Sequence, residues 1–188
     1  MIPFQEVFDL VPLQYREDAV VAGGAAVQLS TASDIDLFIL GTCNDSEVTL
    51  LRDAFMDCAG FVASDKMNKD YVADFEVIGT FEGKKPIQVI AAMASGTKEL
   101  LKAFDISTHC VAYTHTGNLV TIPQTTTLLE SPKLVRPHIP ERALSRYRKI
   151  CLRYGLEPDA ASLVALCKMP DPVPDELIST DELEAFTF

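Results

Sequence analysis

The stretch from Ala19 to Leu40 constrains this chain more than any other. Ala19-Val20-Val21-Ala22 is a short apolar run that stops at Gly23-Gly24 and reads as a buried strand. Ala25 to Leu29 has room for a short helix, and Ile35-Asp36-Leu37-Phe38-Ile39-Leu40 reads as a second strand closed by Gly41. In Asp34-x-Asp36 the strand period of two puts both carboxylates on one face at a strand start. Adjacent like charges repel, and a divalent cation is the usual reason to tolerate them, with hard oxygen ligands suiting Mg²⁺ or Mn²⁺. Gly23-Gly24 sits where strand turns into helix, so backbone N–H groups there can face an anion such as a polyphosphate. Nine residues, Ala25 to Ser33, separate the two devices, enough for a short helix and a return loop that bring phosphate and metal sites together.

The rest of the chain supplies elements to surround that unit. Phe4, Val7, Phe8 and Val11 have helical spacing that stops near Pro12. A helix is predicted from Glu47 to Cys58, with Ser46 as N-cap and Gly60 past its end. Tyr71–Phe81 and Pro86–Ala92 read as a hairpin joined across Glu82-Gly83-Lys84-Lys85. Thr97 is expected to cap a helix over Lys98–Phe104, followed by a strand from Ile106 to Tyr113 and a turn at Gly117-Asn118. Two helices close the body, Glu141–Tyr154 ended by Gly155 and Asp159–Lys168 capped by Asp159.

Charge narrows the range of partners. The chain of 188 residues has 16 Lys and Arg against 27 Asp and Glu, a formal charge of −11, which opposes an all-over electrostatic grip on nucleic acid. Six of the acids follow Met169, where there is no Lys or Arg, leaving −5 for the body. The chain therefore divides into a domain over residues 1–169 and an acidic tail over 170–188. The tail carries Leu183, Phe186 and Phe188, and it is expected to be mobile or to mediate self-association or capture of a protein partner. Against this acidity, Arg142, Arg146, Lys149 and Arg153 form one stripe on their helix, a surface that can meet triphosphate or an RNA backbone, or simply be solvated. Five scattered cysteines with no C-x-x-C pair read as buried free thiols. With no long apolar run and no signal-like N-terminus, a cytoplasmic protein with no membrane contact is expected. The histidines offer no triad or metal set, and His109, placed mid-strand, reads as structural.

An apolar residue, Gly-Gly, nine residues, then Asp-x-Asp between apolar residues resembles the signature of the polymerase-beta-like nucleotidyltransferase superfamily. The resemblance covers about twenty residues. It implies an α/β (α+β) fold, a mixed sheet flanked by helices with C-terminal helices beyond. It implies transfer of a nucleoside monophosphate from an NTP to a hydroxyl of RNA, protein or a small molecule, with pyrophosphate released. Asp34 and Asp36 would be catalytic and would hold Mg²⁺ or Mn²⁺, and Gly23, Gly24 and Ser33 would bind the nucleotide. The superfamily's third carboxylate lies on a later strand, here within Pro86–Ile90, and that position holds Gln88. The chain is similar to an often viral branch with an apolar-Gln-apolar strand, a Phe-Asp pair and an Arg-rich helix, matched by Phe104-Asp105 and by Arg142, Arg146 and Arg148. Asp105 is therefore the first candidate for a compensating third catalytic acid, ahead of Asp74 and Glu76; helix termination is its ordinary structural role. CCA-adding enzymes share the Gly-Gly, but the Arg-Asp that usually follows it is replaced here by Ala25-Ala26. The alternative reading is an inactive nucleotidyltransferase fold used as a binding or assembly module.

Overall fold

The computed structural model describes residues 3–64, 75–135 and 143–168. Asp74, Arg142, His138 and the tail from 170 lie outside the described residues. A short helix α1 (Gln5–Phe8) and a 3-10 segment (Leu13–Asp18) lead into β1 (Ala19–Ala22), α2 (Gly24–Val27) and β2 (Ile35–Ile39). Then follow α3 (Asp45–Met56), β3 (Phe61–Ala63), β4 (Phe75–Phe81), β5 (Ile87–Ala92) and α4 (Thr97–Lys102). A 3-10 turn (Ser107–His109), β6 (Val111–Thr114), β7 (Leu119–Thr121), α5 (Ala143–Tyr154) and α6 (Ala160–Cys167) complete the order. The strands form one mixed sheet in the order β3-β4-β5-β2-β1-β6-β7. Among the described strands, β2 and β5 run parallel and the other neighbours are antiparallel. The fold is thus mixed α/β with a sheet flanked by helices, as the resemblance implies.

Strand alternation sorts side chains onto two faces. Ala19, Val21, Ile35, Leu37, Ile39, Val89 and Ala91 pack with α1 and with Leu51 and Phe55 of α3. Val20, Ala22, Phe38, Ile90 and Ala92 pack on the other face with Leu100, Leu101 and Cys110. A third cluster, Ile106 with Ala143, Tyr147, Ile150, Cys151 and Leu166, joins α5 and α6 to the body beside that second face. Cys110 and Cys151 are buried as expected, whereas Cys43 and Cys167 are exposed.

Several local expectations are corrected. The cap of α3 is Asn44, whose side chain accepts from Glu47 N–H at 3.0 Å while Glu47 Oε2 accepts from Cys43 N–H at 2.6 Å. Ser46 already lies inside the helix, because that reciprocal pair ties up the earlier amides. Thr97 likewise is the first residue of α4 rather than its cap; Glu99 reaches back to Ser95 N–H and Oγ at 2.7 and 2.6 Å. The predicted strand from Ile106 breaks into a 3-10 turn before β6. Ser107 N–H donates to Lys133 O at 2.9 Å and its Oγ accepts from Lys133 N–H at 2.8 Å, which takes its backbone out of the sheet. Strands β3 and β7 have no counterpart in the sequence reading, being three residues each on the two sheet edges.

Candidate functional site

The centre of the sheet's second face is where the Gly-Gly turn and the aspartates meet. Ala22 pairs with Asp36 across β1 and β2, so Gly23 follows directly beside that aspartate. Gly23 has φ +73° and ψ −142°, a conformation only glycine adopts without strain. A Cβ on Gly23 would lie 3.6 Å from Asp36 Oδ2 and 3.7 Å from Phe104 Cε2. The Gly23 N–H is committed to Val111 O at 3.2 Å, and Val27 and Gln28 close the helix onto Gly23 and Gly24 carbonyls at 3.1 and 3.0 Å. As the first residues of α2, Gly24, Ala25 and Ala26 have amides with no acceptor within the helix itself.

Asp34 precedes β2 in a bend and Asp36 lies within it. The return loop that carries them is pinned to the start of β5: Ile35 N–H donates to Pro86 O at 2.9 Å, and Lys85 Nζ donates to the Ser30 and Ala32 carbonyls. Ser33 Oγ donates to Asp34 Oδ1 at 3.0 Å, so it orients the carboxylate that precedes the strand. Asp36 keeps an exposed fringe, yet burial of its carboxyl, and then the charge of Asp34, push its pKa up to about 7. Arg146 opposes the shift without cancelling it. Such a carboxyl is poised to exchange its proton for a cation near neutral pH.

Gln88 is the direct parallel partner of Asp36, and its alternation with Val89 puts it on the same face. The place beside Asp36 where a third acid would stand thus holds a neutral amide. Asp105 is buried, and Arg146 Nη1 donates to its two oxygens at 3.2 and 3.0 Å. Glu76 opposes Ala91, which belongs to the first face, and it pairs with Arg52 of α3 at 3.4 Å. Sheet pleat therefore turns Glu76 away from Asp36. Among the described residues, no group of three or more His, Cys, Asp or Glu is arranged to hold a metal ion.

Residues distant in sequence also meet at the turn. A Cβ on Gly24 would lie 3.7 Å from Arg153 Nη1 and 3.8 Å from His109 Cε1. His109 is therefore part of the turn's surroundings rather than a mid-strand residue. Burial, with the charges of Arg146 and Arg153, drives its pKa down to about 4 against the pull of Asp105, so it is neutral at pH 7. The cationic stripe on α5 gave one signal of this arrangement; no local pattern marks His109, because its contact with Gly24 joins distant parts of the chain. Phe38, Phe75 and Phe104 pack ring to ring at 5.6, 5.7 and 6.4 Å and hold the Phe104-Asp105 segment over the turn.

No family profile and no curated protein matches this sequence. Among solved structures, the chain is similar to a tRNA-processing enzyme in an apo form, with a TM-score of 0.58 and 14% identity. That likeness covers 87% of this chain and 45% of the enzyme, so the chain spans less than half its length. It establishes a shared fold. Among the described residues, no helix is long and apolar enough to cross a membrane.

Proposed function

We propose that this chain is a nucleotidyltransferase that moves a nucleoside monophosphate from an NTP to a hydroxyl acceptor in the presence of a divalent cation. The observation that carries the reading is the contact between the two sequence devices: Asp36 Oδ2 stands against Gly23 while Asp34 raises the pKa of the same carboxyl. Two repelling carboxylates fit Mg²⁺ or Mn²⁺, since Mg²⁺ is commonly held by one or two carboxylates with waters and substrate phosphates completing the shell. Asp34 and Asp36 would hold the ion, which when bound supplies charge stabilisation to phosphoryl oxygens and activates a hydroxyl.

The chain's own groups divide the remaining work. Gly23 lets backbone and substrate approach without a side chain between them, and the amides of Gly24 to Ala26 donate to phosphate oxygens. Ser33 steadies Asp34 through its hydroxyl. Gln88 can donate to or accept from a ligand beside Asp36 but supplies neither charge nor a base. An RNA hydroxyl is the first acceptor to test, because the fold neighbour is a tRNA-processing enzyme; protein and small-molecule hydroxyls are the other arms. Gln88 with Phe104-Asp105 is the pattern on which the likeness to an often viral branch rests.

A second reading has its own support. Gln88 in register with Asp36, and Asp105 engaged by Arg146, leave two acids where three are usual, which favours an inactive fold serving as a binding module. Incubation with each labelled NTP, Mg²⁺ or Mn²⁺ and the three acceptor classes separates the readings. We expect label transfer that Asp34→Ala and Asp36→Ala each abolish while circular dichroism and thermal midpoint show a folded protein. No transfer with any NTP, or transfer untouched by either substitution, overturns the catalytic reading.

A further inference from the structure

The two aspartates are held by different means. Asp36 lies in the ladders of β2, so strand pairing on both sides fixes its backbone. Asp34 lies in a bend before β2, at the end of the loop that returns from α2. Hydrogen bonds inside that loop are local: Thr31 and Ala32 N–H both donate to Gln28 O at 3.2 Å, and Thr31 Oγ1 donates to the same oxygen at 3.1 Å. Apart from the buried methyl of Ala32, what ties the loop across to the rest of the chain, among the described residues, is Lys85. Its Nζ donates to the Ala32 carbonyl and reaches the Ser30 carbonyl at 3.5 Å. The next residue, Pro86, accepts from Ile35 N–H at 2.9 Å. Asp34 is therefore bracketed: Lys85 holds the carbonyl two residues before it and Pro86 the amide one residue after it.

The chemistry of the bracket is that of a cation site. Two backbone carbonyls that converge on one point offer lone pairs and no proton. Lys85 fills the place with an ammonium, a compact charge with three donors, and bonds to a charged donor are the stronger kind. Lys85 is half-buried, and the proline that follows disfavours helical backbone there, which narrows the directions from which its side chain can approach. The two carboxylates repel one another, and Asp34 is the one that a released loop would let move away.

We propose that Lys85 is a positioning residue for the metal side of this site: its ammonium serves as a built-in monovalent cation that clamps the Ser30 and Ala32 carbonyls and so sets where Asp34 meets the divalent ion. The inference deepens the nucleotidyltransferase reading and rests on it. It also gives the cradle a ligand class, because with the side chain cut back to Cβ a primary alkylammonium should take its place.

Two measurements on the full chain test the clamp, and one of them needs no metal. Titration with Mn²⁺, followed by the paramagnetic resonance of the free ion, reads affinity; hydrogen–deuterium exchange reads the loop. Lys85→Met keeps a long stem without donors and should weaken Mn²⁺ binding about tenfold, roughly 1.4 kcal/mol, with faster exchange in peptides over residues 29–34. Lys84→Met removes the same charge from an exposed neighbour and should change neither. In Lys85→Ala, propylammonium matches the missing atoms and should restore both readings, whereas tetramethylammonium, which has the charge but no N–H, should not. That comparison is made within one protein, so a general loss of stability in a variant does not imitate it. Unchanged Mn²⁺ affinity in Lys85→Met overturns the assignment, since the loop would then move without moving the site. Lost affinity with unchanged exchange, an equal loss in Lys84→Met, or equal rescue by tetramethylammonium overturns it as well, because the lysine would then act by charge alone. Failure of propylammonium to restore Lys85→Ala overturns the cation cradle. If the wild type binds no Mn²⁺ while exchange still responds to Lys85 and to propylammonium, the nucleotidyltransferase reading fails and the carbonyl clamp stands.

Discussion

Asp36 is the residue on which chemistry and stability meet. Its folded pKa, pushed up to about 7 from an ordinary 3.8, means that the folded chain holds a proton the unfolded chain has released. The stability this confers is fully present below about 3.8 and is lost as pH rises through 7. Asp36→Asn abolishes that titration, so the thermal midpoint of the wild type should fall relative to the variant between about pH 4 and 7, as measured by circular dichroism melts. A constant difference across that range would mean the carboxyl is not desolvated in the fold. On the proposed function a cation at Asp36 would compete with that proton, so Mg²⁺ affinity should tighten as pH rises towards 7. The sequence showed the like-charged pair and its common face; it could not show that burial outweighs the Asp34 charge in setting the shift, since burial of Asp36 is created by Phe104, Gly23 and the sheet around it.

Elements fix the site through register. The parallel pairing of β2 with β5 puts Gln88 beside Asp36, and the antiparallel pairing of β5 with β4 turns Glu76 to the other face. An irregularity between Val77 and Gly79 lies in that second ladder, where the edge strand β3 crosses close by. A Cβ on Gly79 would stand 2.3 Å from Phe61 Cζ and 2.5 Å from the backbone oxygen of Val62, a collision that side-chain motion alone cannot relieve. Gly79→Ala should therefore destabilise the chain by about 1–3 kcal/mol in urea unfolding, with β3 displaced. An unchanged midpoint would show that β3 does not pack there. The hairpin of β4 and β5 was legible from alternation and its turn residues, but β3 was not, because a three-residue edge strand carries too little periodicity to register.

At the scale of the whole molecule, three hydrophobic clusters hold the two helical layers and the C-terminal helices to one sheet. Tyr147 ties the last of these to the body: its OH donates to Pro132 O and accepts from Asp159 N–H, each at 2.7 Å, deep within the third cluster. Tyr147→Phe keeps the ring but leaves a carbonyl and an amide unmet, so a loss of about 1–3 kcal/mol in chemical denaturation is expected. An unchanged midpoint would show that α5 is held by apolar packing alone. The longer helices and central strands, the glycine turn, the Asp34/Asp36 pair and the cationic residues of α5 were readable from the sequence by itself, because each rests on spacing within one segment and on the intrinsic preferences of Gly, Asp and apolar residues; the edge strands β3 and β7 and the 3-10 turn before β6 were not. Tertiary structure alone decided that Arg146 occupies Asp105, that Gln88 is the neighbour of Asp36, and that His109 and Arg153 converge on Gly24. Those are contacts between segments distant in sequence, and they are set by strand register and by the docking of α5 on the sheet, which local periodicity does not encode.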